Sequence, residues 1–166
     1  MARWGSCDFR QLKELQRRMQ KLQRVDLDKF CEDVTKELAA RLLRKVIKRT
    51  PVGGYTNGKV GGTLRRGWTA DSHRESELNS TFGGGSGAAT YANDLPITKS
   101  GNTYQIEIIN PVMYASYVEF GHRTRNHKGW VPGRFMLTIS EQELESQAPK
   151  IIEKKIMKYL EMCFSG

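Results

Sequence analysis

DLDKFCEDVTKELAARLLRKVIKRTP, residues 26–51, is the stretch on which the fold turns. Phe30, Val34, Leu38, Leu42 and Val46 recur every fourth position, the stripe of an amphipathic helix. The spacing predicts a helix over 26–49, about 36 Å long at 1.5 Å per residue. Asp26 and Asp28 suit its first turn, and Arg44, Lys45, Lys48 and Arg49 suit its last, where cations complement the helix dipole. Pro51 stops it. The ordinary reading of that basic cluster is a solvated helix end.

Upstream, Phe9, Leu12, Leu15, Met19 and Leu22 predict a shorter amphipathic helix over 8–24. Downstream the chemistry changes, because ten of the 16 glycines lie between Gly53 and Gly87. Residues 52–62 (VGGYTNGKVGG) and 80–90 (STFGGGSGAAT) therefore read as flexible loops. Between them 64–70 (LRRGWTA) reads as a strand bearing Trp68, and 91–98, broken by Pro96, as an edge strand. Ser100-Gly101-Asn102 is turn chemistry, and alternation of Tyr104, Ile106 and Ile108 with Gln105, Glu107 and Ile109 predicts a strand over 103–109. Strands and loops thus occupy about 52–110.

A short helix follows at about 113–120 (MYASYVEF), closed by Gly121, then a basic loop over 121–133. The C-terminal 134–164 reads as helix in two pieces. Ser140 with Glu143 matches a capping box, Pro149 implies a new start or a kink, and Ile152, Ile156, Tyr159 and Cys163 form a stripe. The expected class is α+β: long helices packed on a small, mainly antiparallel sheet, in a single domain over 1–166.

Composition narrows the function. At 166 residues and 38% hydrophobic, the chain suits one compact core without metal or disulfide staples. Its +9 charge is unevenly placed: +7 over 1–50, zero over 51–110, +3 over 111–140 and −1 over 141–166. No run reaches the roughly 18–20 apolar residues of a membrane span, and the first residues lack a signal-peptide pattern, so neither membrane insertion nor secretion is expected. Cys7, Cys31 and Cys163 form no CxxC pair, which suits a reducing compartment.

The sequence offers little to an enzyme. Gly83-Gly84-Gly85-Ser86-Gly87 lacks the Lys-Ser/Thr of a phosphate-binding loop. His122 and His127 have no cysteine or carboxylate nearby to complete a metal shell, and Glu119 reads better as a counter-charge to Arg123, Arg125 and Lys128 than as a general base. No catalytic, metal or cofactor residue is assigned. A small hydrolase using Glu119 with His122 or His127 is the least favoured reading. Two Arg/Trp clusters, Arg65-Arg66 beside Trp68 and the 122–134 loop with Trp130, have the composition to pair phosphates and stack bases. They keep open a stand-alone nucleic-acid-binding module, although the same residues serve as protein-interface anchors.

LRRGW at 64–68, YASYVEFGHRTR at 114–125 and PGRFML at 132–137, in that order between N-terminal helices and a C-terminal helix, resemble the gene-product-ten-like family of tailed phages, whose prototype comes from phage HK-ninety-seven. Gly67 stands where the family has Ser, His122 where many members have Thr, and the family proline between Arg134 and Phe135 is missing. The resemblance implies a non-enzymatic virion protein of the neck, made in the bacterial cytoplasm. It would be a tail-completion or head–tail joining component. On family grounds it forms a ring, hexameric in the particle, between head-completion (stopper) and tail-terminator rings, with DNA passing through without specific binding. The residues expected at subunit or ring interfaces are Arg65, Arg66 and Trp68 in the first block. In the second they are Tyr114, Tyr117, Glu119, Arg123 and Arg125, followed by Trp130, Arg134 and Phe135.

Overall fold

The computed structural model describes residues 13, 16–17, 24–54, 61–69 and 86–164. Its spine is α1 (Arg24–Arg49), where the stripe predicted it. Residues 13, 16 and 17 are helical, and the rest of the helix expected over 8–24 lies outside the described residues, as do 55–60 and 80–85 of the two glycine-rich stretches. After α1 come α2 (Thr63–Gly67), α3 (Ser86–Asp94), β1 (Thr98–Ser100), β2 (Thr103–Gln105), α4 (Ala115–Phe120), β3 (Gly121–Arg123), β4 (Trp130–Pro132) and α5 (Met136–Phe164). The class is α+β. Two antiparallel hairpins, β1–β2 and β3–β4, take the place of one small sheet.

The core forms where α1 meets α3 and α5. Ala39, Ala40, Leu43, Val46 and Ile47 of α1 join Ala88 and Ala92 of α3, Leu64, Trp68, Val112 and Met136. Ala88 and Ala92 are four apart on one face and fully buried, so α3 packs closely on small side chains. That explains why 86–90, expected to be a flexible loop, and 91–94, expected to be strand, are helical. Too little apolar bulk is present there for the stripe to announce itself.

Several expectations near the core are corrected. Residues 64–69 form a helical turn rather than a strand: Leu64, Gly67 and Trp68 sit at i, i+3 and i+4 and are all buried. The turn closes over the end of α1. Thr50, fully buried, donates its hydroxyl to Val46 O at 2.7 Å and accepts the Trp68 indole N–H at 2.8 Å. Arg65 donates Nε and Nη2 to Thr50 O at 3.1 and 2.6 Å, satisfying a carbonyl that the end of α1 leaves without a helical partner. Gly67 has its own reason: a Cβ there would collide with Asn110 Oδ1 and lie 2.8 Å from Val112 Cγ2. Asn110 is fixed in that position by donating to Leu64 O and accepting from Val112 N.

The strand expected over 103–109 is a ladder only as far as Gln105, although the alternation of inward and outward residues continues through 110. Asp28 of α1 ties this hairpin down, accepting Lys99 Nζ and Tyr104 OH, each at 2.6 Å.

The C-terminal segment is one helix, not two. Pro149 lies inside α5; it and Glu145, whose carbonyl its ring deprives of a donor, are on the exposed surface, where losing that bond costs least. Ser140 and Glu143 do not form a capping box either. Ser140 is buried inside α5 with its hydroxyl on Met136 O at 2.6 Å. Glu143 reaches across to α1, accepting Lys45 Nζ at 2.9 Å and Arg49 Nη2 at 2.5 Å. Arg49 Nη1 also donates to Ser140 Oγ at 2.7 Å. Half of the basic cluster read as a solvated helix end is therefore a clamp between α1 and α5. Glu37 adds a second clamp, pairing with Arg41 on its own helix and with Lys155 of α5. Phe30 and Tyr159 stack between the same helices with ring centroids 4.8 Å apart.

Candidate interaction surface

The residues 113–138 fold into a compact unit at the start of α5. Val112, buried, anchors its entry, and Ala115 N donates to Val112 O at 2.8 Å to open α4. Gly121 closes α4 with φ of +86°, a conformation that favours glycine, and its N–H reaches Tyr117 O. The chain then enters β3, so the expected basic loop is a hairpin: Gly121 faces Pro132, His122 faces Val131 and Arg123 faces Trp130. Its tip is held by its own side chains. Thr124 Oγ1 donates to Asn126 Oδ1 at 2.7 Å, and Gly129 N donates to Thr124 Oγ1 at 3.0 Å.

Glu119 joins the hairpin to α5. It is only 6% exposed. Its carboxylate accepts Leu137 N at 3.0 Å on Oε2, and Thr138 N and Thr138 Oγ1, both at 2.9 Å, on Oε1. The two backbone N–H groups belong to the first turn of α5, where no intrahelical carbonyl serves them. A carboxylate is also the favoured charge at that end of the helix dipole. The backbone completes the join, with Arg134 N on Val118 O at 2.8 Å and Phe135 N on Glu119 O at 3.0 Å. The isolated acid in a basic stretch is thus a helix cap supplied from 18 residues upstream.

The expected interface residues now divide. Trp68, 4% exposed, and Glu119 are turned inward, and Arg65 and Arg66 are engaged by Thr50 O and Gly61 O. Their hydrogen bonds within the chain account for all four. Tyr114, Tyr117, Trp130 and Phe135 are exposed, Trp130 to 60%, and so are Arg123, Arg125 and Arg134. Three large apolar residues missed by the sequence reading join them: Met113 (84% exposed), Phe120 (62%) and Val131. Met113, Tyr117 and Phe120 lie four and three apart, a stripe normally read as core, yet here it faces solvent. Tyr117 meets the His122 ring edge-on at 5.8 Å. Phe135 is held at φ of +48°, a left-handed conformation unfavourable to an aromatic residue.

The side chains this surface exposes are aromatic, apolar and cationic. Among the described residues no group of three or more His, Cys, Asp or Glu is placed to hold a metal, and the Glu119 carboxylate is occupied by three donors rather than poised beside His122 or His127. Among the described residues no helix is long and apolar enough to cross a membrane.

The family profile of bacteriophage HK97-gp10, a tail component, matches residues 13–121. The chain belongs to the HK97-gp10-like family. The match covers α1 to α4 and stops at Gly121, so LRRGW and YASYVEFG fall within it, whereas the β3–β4 hairpin, PGRFML and α5 lie beyond. No curated protein and no solved structure matches the chain. As a family member it is a bacteriophage tail component with a structural role in the virion.

Proposed function

We propose that the chain is a neck protein, a tail-completion or head–tail joining component that assembles as a ring on the tail axis without catalysing a reaction. The observation that carries this reading is the exposed apolar surface of α4, the β3–β4 hairpin and the start of α5, with Met113, Tyr117, Phe120 and Trp130 more than half exposed. Tyr, Trp, Phe, Met and Arg are the residue types that anchor protein interfaces, and exposed apolar side chains of this size are costly to leave in water. A virion component meets that cost when it is built into the particle. Its neighbours in this reading are sister copies and the stopper and terminator rings, with six copies following tail symmetry.

The stand-alone nucleic-acid module draws less support, because one of its two Arg/Trp clusters is internal: Trp68 is buried and Arg65 is bound to Thr50 O. The deciding experiment images particles carrying an epitope on this chain and particles made without it. The expected result is label at the head–tail junction, and unjoined heads and tails when the chain is missing. Label confined to the far end of the tail, or normal joined particles without the chain, refutes the neck assignment.

A further inference from the structure

The stretch 106–110 keeps the in–out alternation of a strand: Ile106 and Ile108 are partly buried against the core, while Glu107 and Ile109 point outward. Yet among the described residues no strand pairs with it, and no backbone–backbone hydrogen bond reaches it. Beside it runs a groove lined by Tyr91, Leu95, Pro96, Ile106, Ile109 and Pro111. Ile109 is 58% exposed in this groove, and Glu107 makes no ion pair among the described residues. An unpaired extended edge with apolar side chains is a template for another strand.

The same chain carries a matching partner elsewhere. The β3–β4 hairpin presents Trp130 and Val131 beside Arg123, Arg125 and Lys128, all exposed, and none of the three cations is in an ion pair among the described residues. Its charge is opposite to that of Glu107, and Trp130, on the same face as its cross-strand partner Arg123, suits a groove lined by Leu95, Pro96 and Ile109. We infer that the β3–β4 hairpin of one copy docks along 106–110 of the next, with Arg123 and its neighbouring cations facing Glu107 and Trp130 entering the groove. The two patches differ and lie on one polypeptide, so the contact is heterologous and propagates from copy to copy, as the units of a closed ring require. This assignment rests on the ring reading above and adds which surfaces meet.

Charge reversal tests it with the whole chain. Glu107 and Arg123 are exposed, so E107R and R123E leave the fold intact, which circular dichroism and unfolding of each purified variant verify. Each variant supplied alone in phage-producing cells places like charges across every contact, and its incorporation into particles falls about ten-fold or more. Supplied together in equal amounts, each hairpin finds an opposite charge in the other variant's groove, and incorporation recovers.

Normal incorporation of either single variant overturns the pairing. So does failure of the mixture to recover, which would mean that a different protein occupies one of the two surfaces. Absence of the wild-type chain from particles is a separate result: it removes the proposed function itself, and the pairing with it.

Discussion

Replacing Glu119 with alanine removes the acceptor for three donors, two of them backbone N–H groups in the first turn of a 29-residue helix. Loss of an N-cap side chain costs about 0.5–2 kcal/mol, and a buried donor left without a partner about 1–3 kcal/mol. The bonds share one carboxylate and are not additive. Leu137 and Thr138 are half-buried, so water recovers part of the loss. The expected destabilisation is about 3 kcal/mol, a fall of about 6–12 °C in melting temperature for a chain of this size. Glu119→Gln keeps one oxygen but turns an NH2 toward a donor, and should lose about half as much. Urea unfolding followed by far-ultraviolet circular dichroism measures both, with Glu107→Ala, an exposed glutamate, as the reference expected within about 0.5 kcal/mol of wild type. A double-mutant cycle with Thr138→Val isolates the hydroxyl bond through its coupling energy. If Glu119→Ala unfolds at the same urea concentration as Glu107→Ala, the cap is not what holds α5. The same geometry means that Glu119→Arg fails by unfolding rather than by assembling badly, so Glu119 is no test of the ring.

Three further outcomes follow from the packing. Hydrogen bonds from Lys45 and then Arg49 hold the Glu143 carboxyl below its ordinary value of 4.5, so its contribution is present above that value and lost as pH falls through the lower folded one. Glu143→Gln should therefore flatten the acid side of the stability–pH curve, and an unchanged acid limb would show the clamp to be idle. Trp68→Ala empties a core position and forfeits the bond to Thr50, costing about 3–5 kcal/mol in the same urea assay; a cost below about 1 kcal/mol would mean that Trp68 is not core. Phe135→Gly relieves the left-handed strain, so stability should hold or rise by up to about 1 kcal/mol while incorporation into particles falls. Normal incorporation would show that the exposed ring has no contact to make.

The long elements were legible where one physical signal dominated. The four-residue recurrence from Phe30 to Val46 placed α1 within two residues, and Gly121 correctly closed α4. Local patterns misled where several residues could satisfy them. Ser140 with Glu143 has the spacing of a cap, but the true cap is Glu119, which sequence distance hides; only its isolation among cations marked it as unusual. Turns of helix as short as α2 and as poor in bulk as α3 carry too few residues for a periodicity to show. The same limit applied to the candidate surface. Its aromatic and basic residues were visible, but not that Trp68 points inward while Met113 and Phe120 point outward, since a stripe reads the same whichever side it presents.

The way α4 and α5 are fastened at the hairpin base has a mechanical consequence. Gly121 opposite Pro132, two backbone bonds and the Glu119 carboxylate lock the two helices together below the hairpin, like a buckle closed before the strap begins. A load on the hairpin therefore passes through this join into both helices at once, rather than into one of them alone.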